Sequence, residues 1–333
     1  MTDAWLWHGG AIEAARQRFG GCERLWIDLS TGINPAPWPG AATMAIDWRR
    51  LPEASALALL ETAAAAHFGA DPRHVCAVPG TEVGMRLVGR IIGGPARYVA
   101  PAYRTHGEMI AGSRPIAWTD AMETDGTLIL ANPNNPDGRC LDRATLQALL
   151  ARRGSSGWLL IDEAFADADP AQSLADAVTE EARLLIFRSF GKFFGLAGLR
   201  LGFVIGPSQI TAPLRRRLGA WPLSAAALAI GTPAYRDRAW IAQTRQELKA
   251  NAATLDACLQ RHGYQPRGAC PLFRLLETDD AQALFERLAR RAILTRPFAD
   301  QPRWLRIGLP ADPAALDRLD AALGHGFLQW HIH

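Results

Sequence analysis

The residues best suited to chemistry stand at the ends of apolar runs. Lys192 lies in Arg188-Ser189-Phe190-Gly191-Lys192-Phe193-Phe194-Gly195, a small-residue turn directly after the run Arg183 to Phe187. A lysine desolvated in a pocket sheds its proton near neutral pH and becomes an amine nucleophile, which covalent chemistry at a carbonyl carbon requires. Asp162 and Glu163 put two carboxylates at the end of the segment Trp158 to Ile161, and Arg200 precedes another apolar run, Leu201 to Ile205. Gly80-Thr81-Glu82 carries a short strand into an apolar-periodic helix running through Arg90. Backbone N–H groups at such a helix start form an anion site. Asn132-Pro133-Asn134-Asn135-Pro136-Asp137-Gly138 is a tight irregular turn by its Asn-Pro and Asp-Gly dipeptides. Taken singly, each feature has an ordinary explanation: a surface lysine, a solvated carboxylate pair, a common α/β connection, a plain loop.

What could bring them together is one sheet. The runs at Val75, Ala96 to Ala100, Thr127 to Ala131, Trp158, Arg183 and Leu201 read as strands, and open α/β sheets bind ligands outside the carboxyl ends of their strands. The alanine-rich segment 53–66 reads as one helix, with Pro52 near its start and Gly69 past its end. After residue 206 the pattern changes to longer amphipathic helices, Ala239 to Arg261 being the clearest, with strand-like runs at Pro271 to Leu276 and Trp304 to Leu309. At 333 residues the chain exceeds one hydrophobic core. The expected division is an amino-terminal arm and part of a small domain over 1–40, a large domain over 41–210 and the rest of the small domain over 211–333.

Composition narrows the class. Nearly half the residues are hydrophobic, and the formal net charge is +3. The basic residues are scattered, and Arg215-Arg216-Arg217 reads as a solvated helix face, so nucleic acid is not an expected partner. No apolar stretch is long enough to cross a bilayer and the start lacks a signal-peptide pattern, so no membrane partner and a cytoplasmic location are expected. Cys22, Cys76, Cys140, Cys258 and Cys270 form no C-x-x-C pair, which suggests neither a disulfide framework nor a zinc site. His331 and His333 stand together without a carboxylate, so no metal is expected there.

In order and spacing, these motifs resemble the fold-type I pyridoxal-phosphate enzymes, the aspartate aminotransferase superfamily, from about residue 30 to residue 310. The resemblance implies an α/β fold: a large domain with a mostly parallel central sheet plus a smaller α+β domain. It also implies pyridoxal 5'-phosphate as cofactor, carried by Lys192. Ser189 and Arg200 match phosphate-binding positions, and Gly80, Thr81 and Glu82 match the turn that caps that phosphate. In Pro101-Ala102-Tyr103-Arg104-Thr105-His106, Tyr103 matches the ring that stacks on the pyridine, with His106 behind it as partner to Asp162. Asn135 matches the donor to the cofactor's phenolic oxygen. Asp162 matches the partner of the protonated pyridine nitrogen, which makes the ring an electron sink. Lys192, Asp162 and Tyr103 are therefore the catalytic candidates. Arg306, in Leu305-Arg306-Ile307-Gly308-Leu309, matches a substrate-carboxylate arginine, and Arg296 is a second cation shortly before it. At Phe165 most aminotransferases carry tyrosine, so plain transamination is in doubt.

The amino end adds His8-Gly9-Gly10 and Asp28-Leu29-Ser30-Thr31-Gly32-Ile33-Asn34-Pro35. With Asp162-Glu163-Ala164-Phe165 these resemble the L-threonine O-phosphate decarboxylases of cobalamin biosynthesis, relatives of the histidinol-phosphate aminotransferases. That implies a carboxy-lyase acting on a small phosphorylated amino acid, with His8, Gly32, Asn34, Asn135, Arg296 and Arg306 as candidate substrate contacts. A homodimer is implied likewise. Three readings stay open at this point: the decarboxylase, a phosphate-substrate aminotransferase of the histidinol-phosphate type, and a non-catalytic pyridoxal-phosphate or metabolite-binding protein.

Overall fold

The computed structural model describes Trp5 and residues 9–20, 25–154 and 156–324, so His8, Cys22, His331 and His333 lie outside the described residues. In chain order the elements are α1 (Ile12–Phe19), β1 (Ile27–Asp28), α2 (Ala54–Phe68), β2 (Val75–Val78), α3 (Thr81–Ile92), β3 (Ala96–Val99), α4 (Arg104–Glu108), β4 (Arg114–Ile116), β5 (Thr127–Ala131), α5 (Arg143–Ala151), β6 (Leu159–Asp162), β7 (Leu184–Ser189) and α6 (Phe190–Phe193). There follow β8 (Gly202–Ile205), α7 (Ser208–Leu218), α8 (Ala225–Arg236), α9 (Arg238–Arg261), β9 (Phe273–Glu277), α10 (Ala281–Ala289), β10 (Ile293–Leu294), β11 (Arg296–Phe298), β12 (Gln301–Gly308) and α11 (Pro313–Gly324). No helix among the described residues is long and apolar enough to cross a membrane.

The chain divides into two compact units, one of Pro37–Thr244 and one of Met1–Ala36 with Arg245–His333. The larger holds a seven-stranded sheet in the order β2-β8-β7-β6-β5-β3-β4. Among the described residues β8 alone runs against its neighbours; the other pairings are parallel. Strands covered on both faces must be apolar throughout, and Leu128 to Leu130, Leu159 to Ile161 and Leu184 to Phe187 are buried at every position. Beneath α3 and α7 the core gathers Val78, Met85, Val88, Leu160, Leu185, Phe187, Val204 and Leu214. Truncating one such leucine to alanine costs about 2–5 kcal/mol.

The boundary falls after Thr244 and not after residue 210, because α7 packs on α3 and β2 while α8 packs on α2. Arg215 accounts for part of that attachment. It is no purely solvated residue: its guanidinium donates to Glu61 Oε1 at 2.8 Å, Glu61 Oε2 at 2.9 Å and the Val75 carbonyl at 2.6 Å. Glu61 in turn accepts the Ala77 N–H at 2.9 Å, so a helix, a helix and a strand share one ion pair.

The smaller unit has an antiparallel sheet, β11-β12-β9, and a short parallel pair, β1-β10. Helices α10 and α11 pack together, with Phe285, Leu288 and Leu319 fully buried. This is the α+β unit expected, and it takes in the amino-terminal segment.

Candidate active site

Every predicted cofactor residue stands at one rim of the seven-stranded sheet, and the register explains why. Gly202, the first residue of β8, pairs with Val78 at the end of β2 and with Ser189 at the end of β7. The antiparallel strand thus begins where its neighbours β2 and β7 finish, so Arg200 meets Gly80. A Cβ on Gly80 would collide with the Arg200 guanidinium, and Gly80 takes φ +90, a conformation side chains disfavour. A Cβ on Gly202 would stand 2.7 Å from the Thr81 nitrogen. The two glycines therefore let a cation and a helix start close together. Helix α3 starts without a side-chain cap, and helix-start N–H groups beside a guanidinium are suited to cradle an anion.

Lys192 belongs to α6, the single turn after β7. The turn is fixed by the aromatics behind it: Phe193 and Phe194 are fully buried. Phe194 stacks on Phe190 at 4.4 Å and meets Tyr235 edge-on at 5.0 Å, while Phe193 meets Trp240 at 5.6 Å. Lys192 Nζ lies 5.7 Å from the centroid of the buried Phe165 ring. The amine thus faces an apolar ring where a tyrosine would have offered a phenol.

Asp162 ends β6. Its Oδ1 accepts the Ala164 N–H at 3.0 Å and its Oδ2 meets His106 Nε2 at 3.1 Å. His106 Nδ1 is buried with no hydrogen-bond partner among the described residues, so it is the nitrogen that can do without a proton and Nε2 donates. Tyr103 stands edge-on to His106 at 5.9 Å and donates its hydroxyl to Glu82 Oε2 at 3.1 Å. Burial pushes the Tyr103 phenol above its usual range, so it remains protonated as that donor. Sequence reasoning gave Glu82 a backbone role; its side chain also anchors Tyr103 and is itself held by Arg86 at 3.0 Å.

Asn135 is half-buried in the loop after β5. Its neighbours shape the loop. Asn132 exchanges hydrogen bonds with Leu141, donating to its carbonyl at 3.1 Å and accepting its N–H at 2.8 Å. Asn134 donates to the Pro101 carbonyl at 3.0 Å, which ties the Asn135 loop to the Tyr103 loop.

One supporting device escaped sequence reasoning. Arg188, between Phe187 and Ser189, is fully buried and pairs with Glu163, next to Asp162, at 2.9 Å. Its other nitrogen pairs with Asp167, which also meets His67 Nε2 at 2.9 Å. Burial raises the Glu163 carboxyl. Burial would raise Asp167 too, but the Arg188 charge and the His67 bond prevail and hold it far below the usual range. This buried network ties β6, which ends at Asp162, to β7, which leads into the Lys192 turn.

The predicted substrate residues gather in the smaller unit, apart from Asn135, which is in the larger, and His8, which lies outside the described residues. Arg296 and Arg306 are register partners on β11 and β12, so the two cations stand side by side on one face of an antiparallel pair. Arg306 Nη2 donates to the Ser30 carbonyl at 2.6 Å, and Arg296 Nη1 to the carbonyls of Trp5 at 2.6 Å and Pro297 at 2.8 Å. Burial, with Arg296 nearby, brings Arg306 down to about 10, which leaves it charged at neutral pH. Ser30, missed as a candidate, is the hub: its hydroxyl accepts the Gly10 N–H at 2.8 Å and donates to Asp28 at 2.5 Å. Asn34 is buried and turns the chain by accepting the Ala36 N–H at 3.0 Å, two residues after Gly32, also buried.

The profile of the family described as Aminotransferase class I and II matches residues 116–323. The threonine-phosphate decarboxylase of Pseudomonas aeruginosa is 40% identical over 329 residues, 96% of this chain and 97% of that one. A histidinol-phosphate aminotransferase of Burkholderia mallei is 30% identical over 89% of this chain and 91% of its own. Among solved structures, the histidinol-phosphate aminotransferase of Sinorhizobium meliloti in complex with pyridoxal-5'-phosphate superimposes with a TM-score of 0.82 at 20% identity, covering 94% of this chain and 93% of that one.

Proposed function

Because the chain belongs to the class I and II aminotransferase family, we propose that it is a pyridoxal-phosphate-dependent carboxy-lyase that converts L-threonine O-3-phosphate to (R)-1-amino-2-propanol phosphate and carbon dioxide. The observation that carries this is the 40% identity to a threonine-phosphate decarboxylase along 96% of the chain, against 30% for the aminotransferase relative. Phe165 beside Lys192 supports it, because the phenol of ordinary transaminases is missing there.

The residues present fit the cofactor. Gly80 leaves the space beside Arg200 that a Cβ would fill, and the anion cradle suits a phosphate. Arg200, Ser189 and the N–H groups of Thr81 and Glu82 would hold it. Asp162, fixed by His106, would pair with the ring nitrogen, Tyr103 would cover the ring face, and Asn135 would donate to its phenolic oxygen. Bound pyridoxal phosphate supplies an electron sink for the pair left at Cα when the bond to the carboxylate carbon breaks.

The chain's own residues select that bond. Lys192 Nζ would tether the cofactor and, as the nearby amine, would hold the proton that Cα receives where carbon dioxide has left. Arg296 and Arg306 would take the substrate's phosphate and carboxylate, with Asn34, Gly32 and His8 as further contacts, and a firmly held phosphate would set which bond at Cα is positioned to break. This assignment makes the reaction a step of cobalamin biosynthesis. A cytoplasmic homodimer accompanies it, supported by the exposed Trp48, Leu51 and Trp221 of the larger unit.

The experiment is mass spectrometry of products from L-threonine O-phosphate with and without 2-oxoglutarate. Aminopropanol phosphate formed without the keto acid, and lost in Lys192→Ala, is the expected result. Glutamate formation with histidinol phosphate would make the protein an aminotransferase, and a bound cofactor with no turnover at all would make it a binding protein.

A further inference from the structure

Cys258 stands in the last turn of α9, His262 follows directly after its end, and α11 brings Asp320 against both. Asp320 Oδ1 accepts from Cys258 Sγ at 3.4 Å, pairs with His262 Nε2 at 2.8 Å and accepts from Arg261 Nη2 at 3.0 Å. The three potential ligand atoms, a sulfur, a ring nitrogen and a carboxylate oxygen, lie within 4.8 Å of one another. We propose that Cys258, His262 and Asp320 form a binding site for a divalent transition metal of the zinc class, separate in function from the lysine chemistry.

The donor set selects the ion. Thiolate and imidazole suit zinc and its neighbours, whereas magnesium and calcium take oxygen ligands. A thiolate, a carboxylate and a neutral imidazole also match a doubly charged cation. Cys258 and His262 are four residues apart across the end of α9, and both are already hydrogen-bonded to Asp320 of α11, so little ordering is left for the ion to impose. Hydrogen bonds now converge on the oxygen that would become a ligand, and a metal would replace the thiol proton and any proton on Nε2.

Access is provided as well. Cys258 is fully buried, but the His262 and Asp320 side chains keep 18% and 37% exposure, which leaves an approach for the ion and a fourth position for water. Arg261 must release Asp320; its side chain is 59% exposed and free to swing outward. Burial first, and the bond to Asp320 second, push the Cys258 thiol up to about 12, so without metal it keeps its proton. On binding, the S–H bond breaks, the proton passes to solvent and the metal–sulfur bond forms. Affinity therefore falls as pH is lowered.

The rival account is that the three residues merely pin α9 to α11 by hydrogen bonds, and the test separates the two. The full chain loaded with its cofactor is dialysed against zinc ion, and metal per chain is measured. One equivalent of zinc is expected in the wild type and in Cys140→Ser, and at least tenfold weaker retention in Cys258→Ser and His262→Gln. Cobalt ion should give the visible bands of a tetrahedral thiolate site in the wild type and lose them in Cys258→Ser. His262→Gln, at a partly exposed position, serves if the buried Cys258 variant fails to fold. No zinc retained by the wild type, or equal retention in both ligand variants, overturns the proposal.

Discussion

His106 Nε2 donates to Asp162 Oδ2 at 3.1 Å, and the histidine is entirely buried. The bond fixes a carboxylate that also accepts the Ala164 N–H. A hydrogen bond to a charged group contributes about 1.5–3 kcal/mol. His106→Leu should therefore lower the decarboxylation rate roughly tenfold to a hundredfold while the fold persists. Steady-state kinetics with threonine phosphate, alongside circular dichroism, checks this; an unchanged kcat would remove His106 from the site.

Gly80→Ala tests the cradle. The substitution forces a side chain into φ +90 and into the Arg200 guanidinium; the backbone strain alone costs about 1–2 kcal/mol. Cofactor affinity should fall by about tenfold or more, with substrate KM much less affected once the protein is saturated with cofactor. Fluorescence titration with pyridoxal phosphate measures the first and saturation kinetics the second.

How much of this was legible beforehand depends on where the information sits. Asp162 closes a strand, and Lys192, Gly80 and Asn135 each lie within a few residues of a strand's end, so the end of an apolar run marked them. The partnership of Arg296 and Arg306 was half visible, as two arginines near each other; their direct pairing needed the β11–β12 register. Arg188 was read only as a flank of the lysine turn, because nothing in its neighbours announces that Glu163 and Asp167 fold back to meet it. Ser30 looked like any serine in a loop, although it joins Gly10, Asp28 and Arg306. The domain boundary was misplaced for a similar reason: α7 and α8 have amphipathic patterns that say they pack, but not on which sheet.

Phe165 is the position where this chain departs from ordinary transaminases. Phe165→Tyr would set a phenol near Lys192 Nζ, which now lies 5.7 Å from the ring centroid. If the hydroxyl donates to the cofactor's phenolic oxygen, it adds to the donation assigned to Asn135. The pH at which the visible absorption of the cofactor-loaded protein changes should then fall by about one unit, equivalent to about 1.4 kcal/mol. A pH titration of the absorption spectrum reads this without turnover, and no shift would place the ring outside the reach of the cofactor.

Arg296→Ala should raise KM for threonine phosphate by about tenfold to a hundredfold, the range for losing one charged hydrogen-bonding partner, and leave pyridoxal-phosphate affinity within about twofold. Inorganic phosphate should inhibit the wild type competitively and the variant less. Unchanged KM would assign the substrate phosphate elsewhere.

The Arg188 network predicts how stability responds to acid. Asp167 is held far below the ordinary carboxyl range, because the Arg188 charge and the His67 bond outweigh burial, so the fold favours its ionised form. Its contribution is complete above the unfolded value of about 3.9 and declines as pH falls toward the folded value. Glu163 is shifted the other way by burial; the fold favours its protonated form, so acid does not withdraw support through that residue. Asp167→Asn leaves Arg188 facing Glu163 with one partner fewer and should destabilise the protein by about 3–5 kcal/mol at neutral pH. From about pH 4 downward the wild type should then lose more stability than the variant does. Urea unfolding of both proteins across that range measures the difference, and parallel curves would show that Asp167 is not the carboxyl through which acid acts.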